Sequence, residues 1–275
     1  MIDLHLHTTA SDGRCEPVEL VRRAWGAGIH ILSVTDHDTV AALPDTAAIA
    51  AAYGIKSIPG IEVTSVWGER DVHMLGYFLD PGNAVLAQFL ADQRADRVRR
   101  VHQMAGKLAE LGKPINVERI TQPSATKPGG SIGRPLVAWA LVRAGHVSDV
   151  RQAFDELIGE GRPAYVARRG STPADVLEII HQAGGIGSLA HPGVLGHDEL
   201  IPDLVQHGLT AIEAYHSDHD PTVTAHYLAV AAQYGLAVSG GSDYHGDAGH
   251  RREGFGVIEL PEEHYQVLLK RAGRK

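Results

Sequence analysis

The chain has one cysteine, Cys15, among its 275 residues. That excludes an internal disulfide and a cysteine-rich zinc site, and it suits a reducing compartment. Aromatic residues make up 5% of the total, too few to suggest a row of rings on which bases would stack. Cationic side chains are outnumbered, 25 Lys and Arg against 33 Asp and Glu, for a formal charge of -8. A basic face for long duplex nucleic acid is therefore missing, although a small anion held by a few local arginines is compatible with this balance. No apolar run reaches the length of a membrane span, and the N-terminus lacks a basic stretch followed by an apolar one. The expectation is a soluble, cytoplasmic protein. Internal repeats and low-complexity tracts are also lacking.

Histidine is what the chain has in abundance: 17 residues, in a sequence that is 44% hydrophobic and so able to bury a full core. The length suits one large α/β domain, or a barrel carrying an insert. The opening stretch reads MIDLHLHTTASD. Ile2, Leu4 and Leu6 alternate with Asp3, His5 and His7, the period of a strand with both imidazoles on one face. Two such rings can approach one divalent ion together, and Asp12 adds a carboxylate just beyond the strand.

The pattern continues as strand and helix in turn. Pro17 opens a helix to Gly26. Residues 29–35 form a buried strand ending in Thr35-Asp36-His37-Asp38, and residues 39–53 an alanine-rich helix. Strands follow at 56–65, carrying Glu62, and at 71–78, carrying His73. This alternation predicts a parallel α/β sheet or barrel with its chemistry at the C-terminal strand ends. After about residue 82 the pattern changes. Residues 84–111 read as one helix, with Val98, Val101, Met104, Ala105, Leu108 and Leu111 as its apolar stripe. Arg94, Arg97, Arg99 and Arg100 on it read as a solvated charged face. A Pro-, Gly- and Ser-rich loop at 121–133 and helices at 134–144 and 148–158 complete a helical insert. Alternation then resumes, with strands at 186–190, 209–215, 236–240 and 255–260 and a terminal helix after Pro261. Seven or eight strands favour a barrel.

His5, His7, Asp12, His37, Glu62, His73, His191, Asp243 and His245 all fall at or just past predicted strand ends. All are nitrogen or oxygen ligands. Any one alone reads as an ordinary hydrogen-bonded residue, as His30, His181, His207, His226 and His264 do. Nine at one end of one sheet read as a metal site, because buried imidazoles and carboxylates without a partner or an ion are costly.

Four segments, His5-Leu6-His7, Thr35-Asp36-His37-Asp38, Ala190-His191-Pro192 and Ser242-Asp243-Tyr244-His245, resemble in order and spacing the motifs of the PHP (polymerase and histidinol phosphatase) domain family. The resemblance covers most of the chain. It implies an α/β fold, a distorted (β/α)7 barrel formed by residues 1–99 and 166–275, with residues 100–165 as a helical insertion capping the substrate. It also implies three divalent metal ions per chain, Mn foremost, with Zn or Fe as alternatives. Carried over by position, His5, His7, Glu62 and Asp243 hold one ion. Glu62, His73 and His191 hold a second, and Asp12, His37 and His245 a third, so that Glu62 bridges the first two. Within the family the chain is most similar to stand-alone phosphoesterases with a helical insert. Ser131-Ile132-Gly133-Arg134-Pro135 matches a stretch of that insert, although Leu136 stands where relatives often have His. This subgroup resembles the 3',5'-nucleotide bisphosphate phosphatases, which release the 3'-phosphate and leave a nucleoside 5'-monophosphate. Related members trim short oligonucleotides from the 5' end. No membrane and no obligate protein partner is implied.

The chemistry fits such a site. Two metals roughly 3.5–4 Å apart lower the pKa of a bridging water and neutralise phosphoryl oxygens, making a metal-bridging hydroxide the expected nucleophile and Cys15 a bystander. The catalytic candidates are His191, Asp243 and His245; His191, His245 or His216 can supply the proton to the leaving 3'-oxygen. A second phosphate calls for guanidinium forks. Arg134, with Ser131 and a helix N-terminus beside it, is the first candidate and Lys127 the second, with His216 also counted among the substrate contacts. The alternatives are a histidinol-phosphate or other metabolite phosphatase, a 5'-to-3' exonuclease on short oligoribonucleotides, an amidohydrolase, and a noncatalytic metal module docked on a polymerase. Amidohydrolases typically use a bridging carboxylated lysine. The only lysine among residues 55–80 is Lys56, at the far end of its strand from Glu62.

Overall fold

The computed structural model describes residues 1–121, 130–246 and 253–274. Lys127 lies outside the described residues. Among them one sheet of seven strands runs in sequence order: β1 (Ile2–Leu6), β2 (Ile31–Val34), β3 (Lys56–Trp67), β4 (Arg70–Tyr77), β5 (Ile186–Leu189), β6 (Ala211–His216) and β7 (Ala237–Gly241). The segment after β7 returns to β1. His7 N donates to the Tyr244 carbonyl at 3.0 Å and Asp243 N to the His5 carbonyl at 2.8 Å, giving a nearly closed barrel. Gly241 permits this approach, since a Cβ there would lie 2.3 Å from His5 N. Asp3 fastens the same seam by accepting from Ser242 N at 2.9 Å and Ser242 Oγ at 2.6 Å.

The helices are α1 (Pro17–Gly26), α2 (Leu43–Ala52), α3 (Ala84–Glu110), α4 (Glu118–Thr121), α5 (Arg134–Arg143), α6 (Val150–Ala153), α7 (Pro173–Gln182), α8 (Pro192–Leu195), α9 (Ile201–Gln206), α10 (Pro221–Tyr234) and α11 (Glu262–Arg271). α6 runs on into a π-helical turn, Phe154–Ile158. Side-chain caps fix four helix starts: Asn83 for α3, Asp149 for α6, Asp220 for α10, and for α7 a reciprocal Thr172–Asp175 capping box. Among the described residues no helix is long and apolar enough to cross a membrane.

Three expectations need correcting. The sheet is not all parallel: β4 runs antiparallel to both β3 and β5. β3 and β4 are joined by a tight turn at Gly68 and Glu69, with Gly68 at φ +63, leaving no chain for the crossover that a parallel pair requires. The segment 255–260 is not a strand; it touches β1 through one backbone bond, Leu260 N to the Ile2 carbonyl at 3.0 Å. The α3 stripe is rotated from the expected one. Val98 and Leu111 are exposed, whereas Arg97 and Arg100 are buried at 7% and 5% exposure. Both arginines face carboxylates inside: Arg97 Nε bonds Asp38 Oδ2, and Arg100 lies 3.6 Å from Asp71. Arg94 is half-buried and reaches the Asp38 carbonyl at 3.4 Å.

The core is divided. Barrel residues such as Ile61, Met74, Leu75, Leu189 and Ile212 pack with Leu177 and Ile180 of α7. A second cluster places Leu6, Leu32 and Val34 against Leu20 and Val21 of α1. A third gathers Val101, Met104 and Leu108 of α3 with Val137 and Leu141 of α5 and Ile158.

Candidate metal centre and cleft

The β1 pleat puts His5 and His7 side by side, ring centroids 5.2 Å apart and both fully buried. Glu62, from the middle of β3, lies between five imidazoles. Its Oε2 is 3.2 Å from His5 Nε2, His7 Nε2 and His37 Nδ1, and its Oε1 is 2.7 Å from His73 Nδ1 and 3.1 Å from His191 Nε2. Asp243 Oδ1 completes one side, 3.0 Å from His7 Nε2 and 3.3 Å from His5 Nε2. Asp12 sits at the other, 3.3 Å from His245 and 3.8 Å from His37. Among the described residues, four groups thus have donor atoms close enough to share an ion: His5–His7–Glu62–Asp243, His7–Asp12–His37–His245, His37–Glu62–His73 and His5–Glu213–His216. The nine residues singled out from sequence converge at this one end of the barrel.

The backbone is bent to achieve this. Four described non-glycine residues have positive φ, and three of them, Asp38, His191 and Asp243, belong to motifs of the site. Such conformations cost about 1–3 kcal/mol each and persist where the surroundings hold them. His191, at φ 28, is held by its own N–H, which donates to Glu213 Oε2 at 2.8 Å.

Glu213 is the residue sequence reasoning missed. It is fully buried on β6, and its Oε1 lies 2.9 Å from His5 Nδ1. With Nδ1–H donating to Glu213, the His5 Nε2 lone pair points between Glu62 and Asp243, the arrangement by which a carboxylate orients a metal-ligating histidine. The available signal was a charge inside an apolar strand, Ala211-Ile212-Glu213-Ala214.

The electrostatics are those of an anionic cluster. Burial would depress the His5 and His7 imidazoles, but their carboxylate neighbours outweigh it: Asp243, Glu213 and Glu62 carry His5 well above its ordinary value, and Asp243 and Glu62 carry His7 to about 10. His37 falls to about 3 and His191 to about 4, because for them burial dominates. Burial would raise Glu62 and Asp12, yet the surrounding imidazoles hold both well below the usual carboxylate range. Neither ring nitrogen of His7 has a hydrogen-bond partner although both are buried, and His37 Nδ1, His73 Nδ1 and His191 Nδ1 are in the same position. Imidazole nitrogens and carboxylate oxygens crowded together without hydrogen-bond geometry are what divalent cations satisfy, so the donor set fits them.

A cleft of 1160 Å³ opens over this cluster, between the barrel mouth and helices α5 and α6. Its lining includes Asp12, His37, Glu62, His73, His191, Asp243 and His245, with Arg14, Arg70, Arg134, Trp139, Phe154 and Tyr165 above them. Arg134 is in the cleft, 3.2 Å from Asp71 and over the rings of Phe154 and Tyr165. Two expected substrate contacts are elsewhere. Ser131 is buried, its N–H on the Ala10 carbonyl at 2.8 Å, and does not line the cleft. His216 lies fully buried behind the cluster, its Nε2 3.3 Å from Asp243 Oδ2 and its Nδ1 accepting from Asp218 N. The scarcity of aromatics also misled, since the fold collects three of them, Trp139, Phe154 and Tyr165, in the cleft.

Comparison with known proteins agrees with this geometry. The family model of the PHP domain matches residues 3–159. The chain is 33% identical over 263 residues to the 3',5'-nucleoside bisphosphate phosphatase of Chromobacterium violaceum, covering 92% of each. It is 32% identical over 253 residues to the 5'-3' exoribonuclease Rnm of Escherichia coli, covering 88% of this chain and 84% of that one. Among solved structures it is similar to a protein from Bifidobacterium adolescentis, provisionally described as a metal-dependent phosphoesterase. The two share 30% identity with a TM-score of 0.88, over 98% of this chain and 95% of the other.

Proposed function

The chain belongs to the PHP domain family, and from that premise we propose a metal-dependent phosphatase. It removes the 3'-phosphate from 3',5'-nucleotide bisphosphates, leaving a nucleoside 5'-monophosphate and phosphate. The observation that carries this reading is the convergence of Asp12, Glu62 and Asp243 with six cleft-end histidines beneath a wall that bears arginines. Three divalent ions are proposed per chain, Mn foremost and Zn or Fe next. Their ligands would be His5, His7, Glu62 and Asp243; then Glu62, His73 and His191; then Asp12, His37 and His245. Bound there, such ions supply a water of lowered pKa and neutralise phosphoryl oxygens.

The protein's own groups do the rest. Glu213 fixes the His5 ring and the His191 backbone, keeping two ligands in register. His245 lines the cleft and is the proposed proton donor to the leaving 3'-oxygen; His191 lines it too, but burial depresses its imidazole to about 4 and leaves it without a proton at neutral pH, and His216 is buried outside the cleft lining. Residues 100–165 form the proposed cap, bringing Arg134 to the second phosphate. A cytoplasmic setting is proposed from the single, buried Cys15.

One observation favours a second reading, the 5'-to-3' exonuclease. The 1160 Å³ cleft exceeds the 300–1,000 Å³ of common small-molecule pockets, leaving room for more than one nucleotide. An amidohydrolase is disfavoured because Lys56 is exposed at the start of β3, near Tyr265, on the strand end away from Glu62. The test is a panel assayed with added Mn: a 3',5'-bisphosphate, histidinol phosphate, a short oligoribonucleotide and an amide. The bisphosphate should be turned over with the highest kcat/KM. Preference for the oligoribonucleotide would favour the exonuclease, and no release of phosphate from any phosphate ester would end the phosphatase reading.

A further inference from the structure

We infer that Arg14, laid on Trp139 at the cleft rim, is the principal cation for the substrate's non-reacting phosphate. The inference rests on the phosphatase reading and specifies which side chain recognises the second phosphate.

Four arginines line the cleft: Arg14, Arg70, Arg134 and Arg151. They are not equivalent. Arg134 is held 3.2 Å from Asp71, a carboxylate it shares with Arg100 at 3.6 Å and Arg168 at 3.8 Å, so part of its hydrogen-bonding edge is already engaged in an ion pair. Arg151 is almost fully exposed and lies 3.5 Å from Asp155 on its own helical segment. Arg70 stands exposed at the β3–β4 turn, with no ring or carboxylate fixing it among the described residues. Arg14 alone combines an uncompensated charge with a fixed position. Its Cζ is 4.1 Å from the centre of the Trp139 ring, close stacking for a guanidinium on an indole. Its backbone N–H donates to the His245 carbonyl at 2.9 Å, tying it to the motif that also carries Asp243.

Stacking uses the flat face of the guanidinium and leaves the hydrogen-bonding edge available. Among the described residues no carboxylate or carbonyl accepts from that edge, so all of its donors remain for an anion. A fork whose plane is set beforehand loses little side-chain freedom when a phosphate binds. The position is apt as well. Arg14 follows Asp12 by two residues and so stands beside the Asp12–His37–His245 side of the cluster. The carboxylates there repel a phosphate that is not at the reacting centre, and an unshared guanidinium at the rim compensates for them. Trp139 comes from α5 and Arg14 from the loop after β1, so the pair also joins the cap to the barrel. The role of Trp139 is to position Arg14.

The test is steady-state kinetics with added Mn on a 3',5'-bisphosphate and on the matching nucleoside 3'-monophosphate, which lacks the second phosphate. Hydrogen bonds to charged groups contribute about 1.5–3 kcal/mol, which corresponds to roughly 10- to 150-fold. Arg14→Gln should therefore raise the KM for the bisphosphate at least tenfold while kcat changes less than about threefold. The selectivity for bisphosphate over monophosphate should fall by the same factor, and by more than in Arg134→Gln. Arg14→Lys should recover only part, keeping the charge but not the fork. Trp139→Leu should give a smaller rise in KM that vanishes in the Arg14→Gln background. Unchanged selectivity in Arg14→Gln, or a larger loss in Arg134→Gln, overturns the assignment alone. A wild-type enzyme that hydrolyses neither ester overturns the phosphatase reading and this assignment with it.

Discussion

Replacing Arg97 with methionine would show whether α3 is bound to the barrel strands by buried charge. Arg97 projects from α3 into the protein, where Nε bonds Asp38 Oδ2, one terminal nitrogen reaches the Ile132 carbonyl at 2.9 Å and the other Thr64 Oγ1 at 3.0 Å. One side chain therefore joins α3, the motif after β2, β3 and the segment leading to α5. Methionine fills similar volume but leaves the Asp38 carboxylate with Arg168 at 3.3 Å and the Thr64 N–H at 2.9 Å. Removing one partner of a buried pair costs about 3–5 kcal/mol. At about 2.1 cal/mol/K per residue, 275 residues give an unfolding entropy near 0.58 kcal/mol/K, so Tm should drop by roughly 5–9 °C. Arg94→Ala, which removes one 3.4 Å bond from a half-buried side chain, should shift Tm by under about 2 °C.

Acid sensitivity follows with a definite sign. Burial would raise the Asp38 carboxyl, but Arg97 and Arg168 outweigh it and hold it below its ordinary 3.8. Its stabilising contribution is thus present above about pH 4 and is lost as pH falls through the lower folded value. Differential scanning calorimetry at pH 7 and pH 3 on the same variants is the assay. A drop of less than about 2 °C for Arg97→Met at pH 7 would mean that the buried pair does not hold α3 to the barrel.

Three further outcomes are expected. Glu213→Gln places an amide donor against the His191 N–H or the His5 Nδ1–H; metal affinity measured by competition with a chromogenic chelator should fall about 10- to 100-fold. Gly241→Ala brings a Cβ to 2.3 Å from His5 N, so the β1–β7 seam must shift; a loss of about 1–3 kcal/mol in denaturant unfolding should appear, and a neutral result would mean that the seam is slack. Arg134→Ala should narrow the preference for bisphosphate over monophosphate, and unchanged selectivity would remove Arg134 from the substrate site.

Much of the site was legible because strand period and motif order are local properties. His5 and His7 share a face by alternation, and the segments ending in His37, His191 and His245 declared themselves at strand ends. What escaped depended on partners distant in sequence. Arg97 and Arg100 look like a solvated face until Asp38 and Asp71 are placed beneath them. Glu213 looks like an isolated charge until β6 is laid between β5 and β7 and its side chain meets His5 of β1 and the His191 N–H after β5. The antiparallel β4 was hidden because a two-residue turn between Trp67 and Arg70 is a weaker signal than the α/β rhythm around it. Ser131 was read as facing substrate because it precedes a helix N-terminus, yet its backbone is used to tie the insert to Ala10.

Loaded with divalent metal, this cluster is proposed to hydrolyse a phosphate ester at the 3' position. The most direct test is to incubate the purified protein with Mn and a nucleoside 3',5'-bisphosphate and to follow the products by phosphorus NMR. Inorganic phosphate and the nucleoside 5'-monophosphate should form in equal amounts, with no reaction after chelation and recovery when Mn is restored. Formation of the 3'-monophosphate instead, or turnover that persists after the metal is removed, would contradict that activity.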